Sequence, residues 1–424
     1  MRAPAARLSR VFPVLGMLLA ISLPACTKER WNVADRVRAR DVDVAAALGD
    51  TSQQNTGGLE AADVTVIAYP HALRPCCAFG VDLKVAIGRV PVPGVELSNV
   101  VDPSAVGPHR YDNGYLSASS GDPRGVVNDE NNGLVYTCRG GFIDLAHVRD
   151  NADNTIALTA GLARELETGT TIDVPPQGAT MRIRLRPVAP EAIDRYGRLR
   201  LAVAGAEWAA FQLSIWHEIA TFYGYASMAE WPEKISAFTP EDLYSNQIGV
   251  RIAGAIVLKK GARSDLEYDL NMDAWIERTL ERLHAVPAGD SRSAMRAVDG
   301  IWWDSTKRIP DWTLVRRRQF ETAPMLRPWR LEDASPGAEG LVKPLSRCSD
   351  AGPALVLQVA DGFNGVPFRD YLTAEFDVGD ALVQAGFPLP HAGSRSITQD
   401  DFPVIIQAIR AENARTFGAD ADVP

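Results

Sequence analysis

The sequence predicts an α+β fold: a single large domain with a helical centre and several short antiparallel strands. Three observations lead there. Val-rich, strand-like runs come early in the chain, and long helical periods dominate its middle. The 424 residues are 46% hydrophobic and 23% charged, which supports a sizeable core and excludes a fibrous or disordered chain. No internal repeat breaks the order, so a repeat architecture is excluded.

The elements follow in turn. DVTVIAY (63–69) and LKVAIGRVPVPGVELSNVV (83–101) read as strands separated by turn residues. NDENNGLVYTCRGG leads from a polar turn into another short strand. A first helix is expected over 142–167, and MRIRLRPV (181–188) alternates as a strand with one wet face. A second helix spans 204–224, with Gly224 as its stop. A third starts at TPEDLYSN, where Thr239 is a good N-cap, Pro240 suits the first turn and Asp242 can reach back to the cap. Lys259, Lys260 and Gly261 mark its end. Further helices are expected at 272–286 and 397–418.

The N-terminus reads as an export signal. Arg2, Arg7 and Arg10 precede VFPVLGMLLAISL, an apolar run shorter than the ~18 residues that a spanning helix needs. LPAC, Leu23 to Cys26, resembles a bacterial lipobox, which implies lipidation of Cys26. Thr27 is not Asp, which favours the outer membrane, and a plain secretory signal is the alternative. The expected organisation is a signal peptide (1–25), an anchor and flexible tether (26–60), a core domain (61–345) and a C-terminal helical extension packed on the core (346–424). The expected location is the cell envelope, lipid-anchored at the outer membrane and facing the periplasm. The membrane, through the anchor, and peptidoglycan or envelope proteins are then the expected partners. The net charge is −9 and the basic residues are scattered, apart from Arg316 to Arg318, so nucleic acid is excluded as a partner.

Two helices carry polar stripes. With His217 placed at 0°, a ~100° turn per residue puts Thr221 at about 40°, Ser214 at about 60°, Glu207 at about 80° and Glu218 at about 100°. A solvated helix face is the plain explanation, but the expected helix 204–224 contains no Lys or Arg. On the first helix Asp144, His147, Asn151 and Asn154 share a face. The plain explanations are that Asp144 caps the helix and that His147 is a hydrogen-bonded core residue.

Two His on two polar-striped helices, each beside a carboxylate, point instead to a metal, with zinc the natural ion for such donors. Asp144, His147 and His217 are the candidate ligands. Glu218 is the candidate general base, as in His-Glu-x-x-His, although Thr221 stands where the second His of that motif would be. Glu207, Ser214, Thr221 and Asn151 are candidate supporting residues. The activity expected is a metal-dependent hydrolase of the cell envelope, acting on a peptide, peptidoglycan or a lipid.

Two other classes are open. Cys138 lies just ahead of a helix and suits the nucleophile of a thiol hydrolase or acyltransferase, with a structural disulfide as the competing role. At least one of the adjacent Cys76 and Cys77 is expected to pair with Cys138 or Cys348. AVDGIWWDSTKRIPDW, with Trp302, Trp303 and Trp312, suits a non-enzymatic envelope-binding lipoprotein if the rings are exposed, and a core edge if they are not.

RPCCAFG (74–80), YTCRGGFIDLAHVRDNAD (136–153), WHEIATFYGY (216–225), FTPEDLYSNQIGV (238–250) and AVDGIWWDSTKRIPD (297–311) resemble the bacterial domain-of-unknown-function 4056 family of exported lipoproteins. The resemblance covers roughly residues 60–345. It implies that these segments form one domain, and it carries no activity.

Overall fold

The computed structural model describes residues 39–49, 68–75, 77–88, 90–113, 130–227, 233–334 and 342–424. The signal segment, Cys26, Cys76 and most of the expected strand 63–69 lie outside the described residues. The fold is α+β, with nine α-helices and several short antiparallel ladders among the described residues. No helix of the described residues is long and apolar enough to cross a membrane.

The helical centre is built on α2 (Leu145–Glu165), which packs between α4 (Arg198–Phe222) and α5 (Asp242–Leu258). All three are buried along most of their length. Close approach of α2 and α5 depends on Gly249, because a Cβ there would overlap the Val148 carbonyl. The expected second helix starts later than the real one. Helix α4 begins at Arg198 and so includes Arg198 and Arg200, and Arg198 donates to the Ala163 carbonyl at 3.2 Å.

Asp242 does reach back to Thr239. Its carboxylate accepts from the Thr239 N–H at 2.5 Å and from the hydroxyl at 2.8 Å, which fixes the chain entering α5. Helix α6 (Asp265–Arg282) begins seven residues before the expected 272, at a Ser264 cap whose Oγ accepts from Glu267 N–H. Helix α1 (Asp41–Ala47) lies within the stretch expected to be a tether, yet it buries Val44, Ala45 and Ala47 against the core.

A four-stranded antiparallel sheet covers α4. Its order is β8 (Ser396–Thr398), β7 (Leu372–Val378), β6 (Ala179–Leu185) and β5 (Thr170–Val174). In β6, Met181, Ile183 and Leu185 point into the core while Arg182 and Arg184 face solvent and pair with acids on neighbouring strands. The indole of Trp216 on α4 stacks on Phe376 of β7, with ring centroids 4.7 Å apart. The C-terminal region is thus more than the expected helical extension, because β7 is an interior strand of this sheet. The helix α9 (Phe402–Phe417) then packs on α4.

A smaller apolar cluster forms around the hairpin β3 (Leu134–Thr137) and β4 (Gly141–Asp144). Trp302 and Trp303 are fully buried in it, so they are core residues and not an exposed binding surface. Trp312 is half-buried between Phe222 and Phe417. Cys138 at the hairpin turn is bonded to Cys348, which ties the C-terminal region to the core. The expected pairing through Cys76 or Cys77 is replaced by this bond. It also removes Cys138 as a nucleophile, since a disulfide sulfur is not a thiolate.

Candidate metal centre

Strand β4 ends at Asp144, and its carboxylate caps α2 by accepting from the Ala146 N–H at 2.7 Å. That cap places His147 in the first turn of α2, facing the C-terminal half of α4. His147 and His217 come together there, with ring centroids 6.2 Å apart. One ligand atom from each of His147, His217 and Glu218 lies within 4.8 Å of the others, and all three residues are buried.

Each of the three is held from behind. His147 Nδ1 lies 3.1 Å from Asp144 Oδ2, and its Nε2 lies 3.4 Å from Glu218 Oε1. His217 Nδ1 is 2.9 Å from Gln177 Oε1, so Nδ1–H donates there and Nε2 is the nitrogen able to face an ion. Glu218 Oε2 accepts from the Phe238 N–H at 2.8 Å. Burial holds His217 well below its ordinary value, at about 4, so the ring is neutral and ready to ligate at pH 7. Burial pushes the Glu218 carboxyl up, but His147, His217 and the Phe238 amide outweigh it and hold the group below its ordinary value.

The roles differ from the expectation in one exchange. Glu218 converges with the two imidazoles, and Asp144 stands behind His147 as the cap of α2, its second carboxylate oxygen 3.1 Å from Nδ1. Adjacent residues on a helix diverge by ~100°, but His217 and Glu218 straddle the direction of α2, so both reach inward.

Three further acidic or basic groups surround the cluster. Asp242 Oδ1 is 3.9 Å from His147 Nδ1, and burial together with Glu218 and Glu241 raises its carboxyl well above the ordinary range. Burial, then the negative Asp144, raises Glu241 to about 8. Arg318 is fully buried and donates to the Ala237 carbonyl, next to the Phe238 amide that binds Glu218. Burial lowers its guanidinium to about 10. Four buried carboxyls against one guanidinium is an excess of negative charge that protons relieve and that a divalent cation would also relieve.

His147 and His217 border a small cleft, with about 20 Å³ open to the centres of water-sized molecules. Asn151, Asn154 and Asn246 line it from α2 and α5, and Ser214 and Gln177 line it from the other side. Arg74 and Asp150 add further polar groups, and Leu73, Ala146 and Leu213 are apolar neighbours in a lining whose accessible area is mostly apolar. Arg74 is locked into a second buried ionic network, with Glu130 at 2.7 Å, Asp150 at 2.7 Å and Asp153 at 3.0 Å. Burial raises Asp150 to about 7 even beside that guanidinium.

The supporting residues separate. Asn151 and Ser214 line the cleft, and the Ser214 hydroxyl donates to the Phe211 carbonyl. Thr221 is buried beyond the cleft lining. Glu207 is drawn away to Arg251 at 3.2 Å. Sequence reasoning missed Gln177, Asn246, Glu241 and Asp150. Asp150 sits one turn from His147 on a helix already read as polar, and Asn246 one turn from Asp242, which is the signal that was there to read. Gln177 lies in the turn before β6, where nothing local points to α4.

No curated protein and no solved structure matches the chain. A family model described as a protein of unknown function, DUF4056, matches residues 64–332, which is more than half of the 424 residues and includes all of the residues that converge here. The chain belongs to the DUF4056 family.

Proposed function

We propose that this chain is a metal-dependent hydrolase of the cell envelope, with His147, His217 and Glu218 as the ligands of a divalent ion. One observation carries the reading: three ligand atoms from two helices lie within 4.8 Å of one another, buried, at the edge of a small cleft. Two imidazoles and a carboxylate are the donor set of a catalytic zinc site, and three protein ligands leave a position for water or substrate. Zinc in such a site supplies Lewis acidity toward a water or a carbonyl group.

The protein's own residues do the rest. Gln177 accepts from His217 Nδ1–H, and with the His147 proton on Nδ1, 3.1 Å from Asp144 Oδ2, both Nε2 atoms would keep their lone pairs for the ion. The Phe238 amide fixes one oxygen of Glu218 and leaves the other toward His147. Asp150, on the cleft wall, takes the role of proton acceptor in place of Glu218, since a carboxyl near 7 exchanges protons readily at neutral pH. The envelope assignment is supported by the signal-like N-terminus with LPAC and by the Cys138–Cys348 disulfide, which suits an oxidising compartment.

The test is the metal content of the purified chain after exposure to zinc, with His217→Ala alongside. One tightly held ion per chain is expected, and its loss in the variant. A wild-type chain that holds no ion under conditions sparing labile metals would sink the reading.

A further inference from the structure

The mouth of the cleft is closed by a segment that no helix or sheet holds. Of the residues that line the cleft, Leu73 and Asp150 are half-buried and the rest are buried, so these two stand between the imidazoles and solvent. Asp150 is fixed on α2. Leu73 belongs to residues 68–75, which form neither helix nor strand and make no main-chain to main-chain hydrogen bond among the described residues. Backbone outside a ladder is held only by the side chains that grip it, and such segments open locally.

The grips on this segment differ in strength. Arg74 is buried, its N–H donates to Asp150 at 3.0 Å, and its guanidinium meets Glu130, Asp150 and Asp153 at 2.7–3.0 Å. Drawing that charge away from its partners is strongly disfavoured, so Arg74 is a fixed point. Pro70 is buried on the other side. Between them His71 and Ala72 are exposed and Leu73 turns inward, so residues 71–73 form an arch. One clasp pins the arch: Asp112 accepts from the His71 N–H at 2.6 Å and lies 2.5 Å from its ring Nδ1. A charged pair open to water is weak, and this one opens more readily than the Arg74 network.

Behind Leu73 the space is on the scale of one water molecule. An organic substrate that reaches His147 and His217 by this mouth must displace Leu73. We propose that Leu73 is the gate of the site, and that the arch 71–73 swings outward when the His71–Asp112 clasp opens. As the entry to a metal centre the gate rests on the hydrolase reading; its motion is a property of the ion-free chain as well.

The experiment uses diethyl pyrocarbonate, an acylating reagent larger than water that reacts with neutral imidazole. Its rate at His217, read by peptide mass on the ion-free full chain, reports opening. Asp112→Gly removes the clasp, and glycine suits the φ of 54° at Asp112, so the turn is not strained. Leu73→Ala trims the gate and leaves the clasp and Arg74 in place. Wild-type His217 is expected to react far more slowly than the exposed His284. Asp112→Gly is expected to speed His217 by about fivefold or more. Leu73→Ala is expected to speed it too, while His109, buried away from the cleft lining, keeps its rate in that variant. A His217 rate that either folded variant leaves unchanged overturns the gate, as does a wild-type His217 as reactive as His284. Equal acceleration of His109 and His217 in Leu73→Ala also overturns it, since that is general loosening. Each of those outcomes leaves the metal reading standing, and absence of zinc from the wild type strikes that reading without touching the gate.

Discussion

Asp144 serves two masters within one turn of helix: its Oδ1 caps α2 at the Ala146 N–H, and its Oδ2 lies 3.1 Å from His147 Nδ1. The cap sets where the helix starts, and the second oxygen faces Nδ1 of His147, where it would favour a proton. The position of His147, a proposed metal ligand, therefore depends on a residue that is not itself among the proposed ligands.

Asp144→Asn separates the two roles. Asn caps helices about as well as Asp, so its oxygen can stay on the Ala146 amide. Its NH₂ would then face His147 Nδ1 and favour the tautomer protonated at Nε2, which cannot ligate. Zinc affinity is expected to fall by about 10–100-fold, while stability changes by about 1 kcal/mol or less. Competition against a chelator, with thermal melts, checks both. Unchanged zinc affinity would refute the orienting role.

Glu241→Gln is expected to stabilise the ion-free protein at high pH. The folded state raises this carboxyl from 4.5 to about 8, so the folded chain binds a proton more tightly than the unfolded chain does. That favourable contribution is complete below 4.5 and is lost as pH rises to about 8. The Gln variant has no such loss. Its advantage over wild type should be near zero at pH 4.5 and grow to roughly 4 kcal/mol at pH 8. Denaturant melts in chelator across that range measure it, and an advantage that shrinks with rising pH would contradict the assignment.

Cys138→Ser distinguishes structure from chemistry. The disulfide joins positions 210 residues apart and restrains the unfolded chain strongly. Its loss is expected to lower stability by about 2–4 kcal/mol. Zinc binding and hydrolysis at a temperature where the variant is folded should persist. Complete loss of hydrolysis in a folded, zinc-loaded variant would revive the thiol mechanism.

Gly249→Ala probes how the two helices align the site. The added methyl overlaps the Val148 carbonyl, one residue from His147, and must push α5 from α2. A destabilisation of about 1–3 kcal/mol is expected, with zinc affinity reduced as His147 moves. Gly254→Ala makes a comparison, because its methyl meets the flexible end of Glu207 instead of backbone. Equal effects at the two positions would argue against helix spacing as the cause.

The polar stripes were legible because helix periodicity is local. His147 with Asn151, and His217 with Ser214, share faces at any tertiary arrangement. The same arithmetic overreached at Glu207 and Thr221, which share the stripe's angle but lie at other heights along α4. One is claimed by Arg251 and the other buried away from the cleft. Angle around a helix is a sequence property; height relative to a neighbour is not.

The sequence by itself determined the α+β class, the family, the alternation of β6, the turn of Thr239 and Asp242, and the two helices that carry His147 and His217. These follow from short-range rules: side-chain period, capping geometry and burial preference. Tertiary structure alone decided that Glu218 converges with the imidazoles while Asp144 stands behind, and that Gln177 orients His217. It also decided that Trp302 and Trp303 are core, that Cys138 bonds to Cys348, and that a C-terminal strand lies inside the sheet. Each of those depends on contacts between residues far apart in sequence, and such contacts are set by packing rather than by any local pattern.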